Sequence, residues 1–62
     1  MDGINSKAIY LGRREKDFYL FKEVNTGNVL EIHDDVLFGK SILSAGNECV
    51  VRQVRTNCYI VS

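Results

Sequence analysis

The chain has 62 residues, 45% of them apolar, and its eight basic side chains balance eight acidic ones. This composition excludes a disordered chain and predicts one small domain over residues 1–62, with a flexible start at residues 1–6. Balanced charge argues against a free-standing nucleic-acid binder, because phosphate neutralisation supplies most of the affinity of such proteins.

The chain carries no sign of export or membrane insertion. Residues 1–6 lack the basic start and apolar core of a secretory signal. No apolar run approaches the ~18 residues that a membrane-spanning helix requires. We therefore expect a cytoplasmic protein, or one that acts inside a host cell.

A core this small often needs support from disulfides, a bound metal or oligomerisation. Cys49 and Cys58 lie on the last two predicted strands at different distances from the turn between them, so we predict two free thiols rather than a disulfide. His33 is the single histidine, whereas a zinc site needs about four ligands. We expect no metal and no cofactor. Self-association through an edge strand, or a protein partner, is the support that remains.

The first predicted elements are a short strand and a charged turn. Residues 7–11 are β-prone, and a glycine ends the run. The segment 12–17 is otherwise charged and suits an exposed turn into the next strand. A helix over residues 6–24 is the competing interpretation, but its apolar stripe would contain three charged residues. We therefore predict strands.

A β-hairpin comes next, and it indicates the fold class. Over residues 18–33, two runs rich in aromatic and β-branched side chains flank a turn-forming segment that contains glycine. A three-residue loop with Gly27 in the left-handed conformation avoids a positive φ at a β-branched residue, and it sets Leu20 opposite Ile32. A two-residue loop would instead set Leu20 opposite His33.

The three-residue loop divides the hairpin into two faces, because side chains alternate along a strand. The predicted core face comprises Phe18, Leu20, Leu30 and Ile32. The opposite, aromatic–acidic face comprises Tyr19, Phe21, Glu23, Val29, Glu31 and His33. Exposed aromatics between acids suit a partner with basic residues. The alternative is that the connection or another strand covers Tyr19 and Phe21.

The segment 34–46 is open to two interpretations. An aspartate-capped helix is one of them, although Gly39 in its middle costs about 1 kcal/mol relative to alanine. The other is a short helix or 3₁₀ turn over residues 35–40, followed by a brief strand over residues 41–43. Strands over residues 49–54 and 58–61 complete the chain.

This order predicts a mainly β fold, a small five-stranded antiparallel barrel of OB-like or SH3-like type, with one short helix or 3₁₀ turn between the third and fourth strands. A glycine turn leads into an alternating strand at residues 25–32, and a second leads into a valine-rich strand at residues 43–51. This pattern resembles the small OB barrels of the translation initiation factor one type. The resemblance implies an OB fold, and no binding residue is assigned from it.

No motif in the chain predicts catalysis. Gly39-Lys40-Ser41 is similar to the end of a phosphate-binding loop, but Asp34 stands where that motif needs a glycine. Adjacent aspartates at a strand end more often cap the next turn or helix than act as a catalytic pair. The sequence contains no nucleophile-elbow motif, such as GxSxG, that could act together with His33. We therefore expect a protein that is not an enzyme.

The sequence thus predicts a non-enzymatic binding module, a regulator, inhibitor or adaptor that associates with another protein. The residues predicted to contact this partner are Tyr19, Phe21, Glu23, Glu31 and His33. The alternative function is single-stranded nucleic-acid or RNA binding by a basic patch near Tyr10 or Tyr59, formed if the first and last turns meet. Its residues are Arg13, Arg14, Lys16, Arg52 and Arg55.

Overall fold

A computed structural model describes residues 4–62 of the chain. It contains six strands, namely β1 (Ile4–Arg14), β2 (Phe18–Glu23), β3 (Val29–His33), β4 (Leu37–Phe38), β5 (Glu48–Val54) and β6 (Asn57–Ile60). Two 3₁₀ turns, Asp34–Val36 and Lys40–Ile42, flank β4. The predicted mainly β class is confirmed.

The six strands form one sheet in the order β3-β2-β1-β5-β6-β4. All neighbours are antiparallel except β4 and β6, which run parallel. The two ends of the sheet, β3 and β4, are consecutive in the chain and separated only by the first 3₁₀ turn. Within residues 4–62 no strand pairing joins them, so the predicted closed five-stranded barrel is not confirmed.

The long strand β1 organises the sheet because it pairs with two partners. Its first half pairs with β5 and its second half with β2. Leu11 is an extra residue in the β1–β2 pairing, and such a β-bulge bends and twists a strand. Residues 4–6 belong to β1, in contrast to the flexible start expected for residues 1–6, of which 1–3 lie outside the described residues.

The register of the β2–β3 hairpin differs from the predicted one by one residue. Tyr19 lies opposite Ile32, and Phe21 lies opposite Leu30. The loop has four residues, 24–27, because the Glu23 N–H donates to the Asn28 carbonyl at 2.8 Å. Since side chains alternate, the slip reverses both faces of β2 while those of β3 stay as predicted.

Hydrogen bonds to side chains stabilise this longer loop. The Thr26 hydroxyl donates to Glu23 Oε1 at 2.6 Å, and the Asn28 N–H donates to Thr26 Oγ1 at 3.1 Å. The Gly27 N–H donates to the Glu23 carbonyl at 2.8 Å, with Gly27 at a φ of 76°. Glycine therefore adopts the expected left-handed conformation, in a loop with one residue more than expected.

The connection between β3 and β5 contains a strand where none was predicted. Leu37 and Phe38 pair with β6, and the brief strand expected over residues 41–43 is replaced by the second 3₁₀ turn. The alternative helix over 34–46 does not form. Gly39, at a φ of 82°, lets the chain turn directly after β4.

The core lies on the inner face of the curled sheet, and every strand contributes to it. Its buried residues are Ala8, Tyr10, Tyr19, Phe21, Ile32, Leu37, Cys49, Val51, Cys58 and Ile60. The largest side chains that are fully enclosed are Phe21, Leu37 and Val51. Both cysteines are free thiols, as predicted.

Candidate binding surface

Two of the residues predicted to contact a protein partner lie inside the molecule. Tyr19 is 9% exposed and Phe21 is 0% exposed. The Tyr10 ring lies 6.0 Å from that of Tyr19 and 5.3 Å from that of Phe21. The aromatic–acidic face was therefore wrong in its composition. The physical reason is the four-residue loop, which turns these two aromatics inward.

The other predicted residues are spread over the hairpin. Glu31 and His33 project from the outer face of β3, as expected. Arg14 forms an ion pair with Glu31 at 2.6 Å, and the Phe18 ring meets His33 edge-on at 5.1 Å. Glu23 is half-buried, and its Oε1 accepts the hydrogen bond from the Thr26 hydroxyl. The aromatic side chain that accompanies these acids is the half-buried Phe18.

The predicted basic patch is divided between opposite ends of β1. Arg13 and Arg14 end this strand, and Lys16 lies in the turn after it. Arg52 pairs with Asn5 near the beginning of the same strand, and Arg55 lies in the turn after β5. Because β1 and β5 run antiparallel, the first and last turns do not meet. The single five-residue patch was therefore wrong.

Two cations lie over the ring of Tyr19 at the edge of the core. The Arg13 guanidinium lies 4.9 Å from the ring centroid and the Lys40 ammonium 5.7 Å from it. Lys40 also pairs with Asp34, and this hydrogen bond holds the pKa of the Asp34 carboxyl below its usual value and raises the pKa of Lys40. Asp34 therefore neutralises Lys40, while Arg13 donates to the Lys16 carbonyl at 2.9 Å.

The outer face of β4, β5 and β6 carries a stacked aromatic pair, in which Phe38 is exposed and Tyr59 is half-buried. The rings of Phe38 and Tyr59 stack with centroids 5.1 Å apart and an angle of 22° between their planes. Phe38 is 43% exposed, although its neighbour Leu37 is fully buried. Strand alternation explains this, because Leu37 and Cys58 point inward and their successors point outward.

Valines extend this pair and cations border it. Val50 exchanges backbone contacts with Val61, whose N–H donates to the Val50 carbonyl at 2.9 Å, and Val61 is 47% exposed. Arg52 is the cross-strand neighbour of Tyr59, and Lys7 is that of Val50. We define the Phe38–Tyr59 surface as these residues together, namely Lys7, Phe38, Val50, Arg52, Tyr59 and Val61.

Part of this surface is visible in the sequence. The alternation Cys58-Tyr59-Ile60-Val61 places Tyr59 and Val61 on one side of a strand, and Arg52 was connected with Tyr59 in the nucleic-acid alternative. Phe38 was missed because it was assigned to a helix or turn. No local signal marks its strand, which exists through parallel pairing with β6, about twenty residues further along the chain.

Comparisons with protein-family models, curated proteins and solved structures gave no match. The resemblance to initiation factor one barrels stays a prediction. Among residues 4–62 there is no helix long and apolar enough to cross a membrane. The same residues contain no pocket and no group of three or more His, Cys, Asp or Glu side chains that could hold a metal ion.

Proposed function

We propose that this chain is a non-enzymatic binding module that acts as a regulator, inhibitor or adaptor by associating with another protein through the Phe38–Tyr59 surface. The observation that carries the proposal is the stacked pair of Phe38 and Tyr59 on the outside of the sheet, with Phe38 43% exposed. Aromatic side chains and arginine are the residue types enriched at protein interfaces and at their energetic centres.

The strands that hold the pair favour tight association. Phe38 and Tyr59 are paired in register on β4 and β6, and their rings already contact each other. Such a pair loses little side-chain freedom when a partner covers it, so less of the binding energy is spent on ordering. Val50 and Val61 continue the apolar contact area beyond the rings.

Capture of partners from cells that produce the chain tests this proposal. The immobilised wild-type chain is compared with the double variant Phe38→Ala/Tyr59→Ala, and bound proteins are identified by mass spectrometry. We expect the double variant to lose at least one protein that the wild type retains, because the centre of the contact area is removed.

Val29→Ala is the matched control for an exposed apolar side chain outside the surface. Val29 is 59% exposed and lies on the outer face of β3. Its replacement should leave the captured proteins unchanged. The proposal fails if the double variant, shown to be folded by circular dichroism, captures the same proteins as the wild type in the same amounts.

Single-stranded nucleic-acid binding is the second candidate, and the position of Arg52 beside Tyr59 favours it. Bases stack on exposed aromatic rings, and a neighbouring arginine contacts the phosphates. A labelled oligonucleotide of mixed sequence, titrated at about 50 mM salt, separates the two candidates. Binding that is lost in the double variant and weakens steeply with salt would support this candidate over a protein partner.

A further inference from the structure

The charges around the Phe38–Tyr59 surface indicate the kind of partner it fits. We infer that the partner is an acidic protein segment, with an aromatic or aliphatic side chain that covers the stacked rings and carboxylates that meet Arg52 and Lys7. This inference rests on the proposed function. It adds the chemistry of the partner to the position of the surface.

Both cations are placed by strand pairing directly against the apolar centre. Arg52 lies opposite Tyr59, and Lys7 lies opposite Val50, which brings the Cβ atoms of each pair to roughly 5 Å. Arg52 Nε donates to Asn5 Oδ1 at 3.0 Å, which fixes one edge of the guanidinium. The terminal nitrogens of Arg52 keep their donors for another acceptor.

Within residues 4–62, no ion pair neutralises these two cations. Arg14 pairs with Glu31 and Lys40 pairs with Asp34, so those cations are already matched. Carboxylates of a partner would complement the charge that remains around the surface. Such complementarity selects the partner and accelerates association.

The valines favour a protein over a nucleic acid as this partner. Nucleic-acid affinity depends on several cations that each contact a phosphate, whereas this surface carries two cations beside Val50 and Val61. Aliphatic side chains give a phosphate backbone no contact to make. They do complement apolar residues of a protein segment.

The test uses a phage-displayed library of random peptides, selected on the immobilised wild-type chain and, in parallel, on Phe38→Ala/Tyr59→Ala. Peptides that bind only the wild type are synthesised, and their affinities are measured for the wild type, Arg52→Glu and Lys7→Glu. Lys16→Glu is the matched charge-reversal control, because Lys16 is exposed in the turn after β1, at the end of that strand away from Arg52.

We expect these peptides to be acidic and to combine their acids with an aromatic or aliphatic residue. Arg52→Glu should weaken their binding by about tenfold or more, and Lys16→Glu by less than about twofold. Peptides that need Phe38 and Tyr59 but are neutral, basic or insensitive to Arg52→Glu would overturn the acidic partner and leave the proposed surface standing.

Two other outcomes count against the inference in different ways. If no selected peptide depends on Phe38 and Tyr59, both the proposed surface and the acidic partner are wrong. If a single-stranded oligonucleotide of mixed sequence displaces the selected peptides at physiological salt, the surface binds nucleic acid and the acidic protein segment is rejected.

Discussion

Burial decides how the thiol of Cys58 titrates. Cys58 is 3% exposed, and burial, together with the nearby Cys49, raises its pKa from 9.0 to about 11. As pH rises above 9, the unfolded chain releases this proton before the folded chain does. The contribution of Cys58 to the free energy of unfolding is therefore fully present below pH 9 and is lost as pH rises toward 11.

Chemical unfolding in urea at pH 8 and at pH 10 measures this effect. We expect the wild type to lose more stability between the two pH values than Cys58→Ala does. The variant should still lose some stability between pH 8 and pH 10, because burial also raises the pKa of Cys49 and of Tyr10. An equal loss in both proteins would show that Cys58 ionises in the folded chain as it does in the unfolded one.

The ion pair between Asp34 and Lys40 contributes stability that is lost at acid pH. The hydrogen bond from Lys40 lowers the pKa of Asp34 below its ordinary 3.8. The unfolded carboxylate therefore takes up a proton first as pH falls, and the contribution present above pH 3.8 disappears as pH falls through the lowered value. Asp34→Asn removes that contribution.

We expect Asp34→Asn to unfold at a lower temperature than the wild type at pH 7, with a smaller difference at pH 2. Asp35→Asn is the matched control. The Asp35 side chain is 85% exposed, and its carboxylate forms only a 3.7 Å contact with His33. Its melting temperature should change little. A deficit of Asp34→Asn that is equal at both pH values would contradict the role of the ion pair.

At the scale of elements, the close packing of the chain after β4 against β6 requires a glycine at position 39. A Cβ atom at Gly39 would lie 2.7 Å from the carbonyl oxygen of Ile60, which belongs to the backbone of β6. A Cβ atom at Gly27 would meet nothing within 4 Å, although both glycines have a positive φ. The two positions therefore separate backbone strain from a steric clash.

We expect Gly27→Ala to lower the free energy of unfolding by about 1 kcal/mol, the cost of a left-handed non-glycine residue. Gly39→Ala should cost at least about 1 kcal/mol more, because β6 must move to admit the methyl group. Urea titrations followed by tyrosine fluorescence give both values. Equal costs at the two positions would mean that β4 does not pack against β6 as described.

The hairpin shows how far local sequence determines an element. Its two strands were predictable from alternating aromatic and β-branched residues, and its loop from Gly27. The length of that loop was not predictable. A hydrogen bond from the Thr26 hydroxyl to Glu23 stabilises the four-residue loop, and the turn-forming residues alone do not indicate this bond. One extra residue in the loop exchanged the faces of β2 and moved Tyr19 and Phe21 from the expected surface to the core.

The candidate surface was less predictable than the strands. Tyr59 and Val61 share a face through simple alternation, which is visible in the sequence. Phe38 joins them only because β4 pairs with β6, and a two-residue strand has no periodicity of its own. Similarly, Arg13 and Arg52 could be grouped in sequence reasoning, whereas the antiparallel pairing of β1 and β5 separates them.

At the scale of the whole molecule, one small core supports all six strands. The total stability of a chain this short is about 3–9 kcal/mol, at ~0.05–0.15 kcal/mol per residue. Phe21→Ala removes the aromatic side chain at the centre of the core and should cost about 3–5 kcal/mol. That loss is comparable to the entire stability.

Phe18→Ala is the matched replacement, because Phe18 is half-buried on the outer face of the same strand. We expect it to remain folded and to lose about 1 kcal/mol. Thermal unfolding followed by circular dichroism compares the two variants. The opposite order of stability is what the three-residue loop would produce, and it would contradict the register of the hairpin.

Site-specific cross-linking tests most directly whether a partner protein covers the Phe38–Tyr59 surface. A photoreactive phenylalanine analogue replaces Tyr59 in one protein and Val29 in another, and each is irradiated in cells that produce the chain. We expect a discrete cross-linked product from position 59 and none from position 29. Cross-linking at position 29 with none at position 59 would contradict the proposed surface.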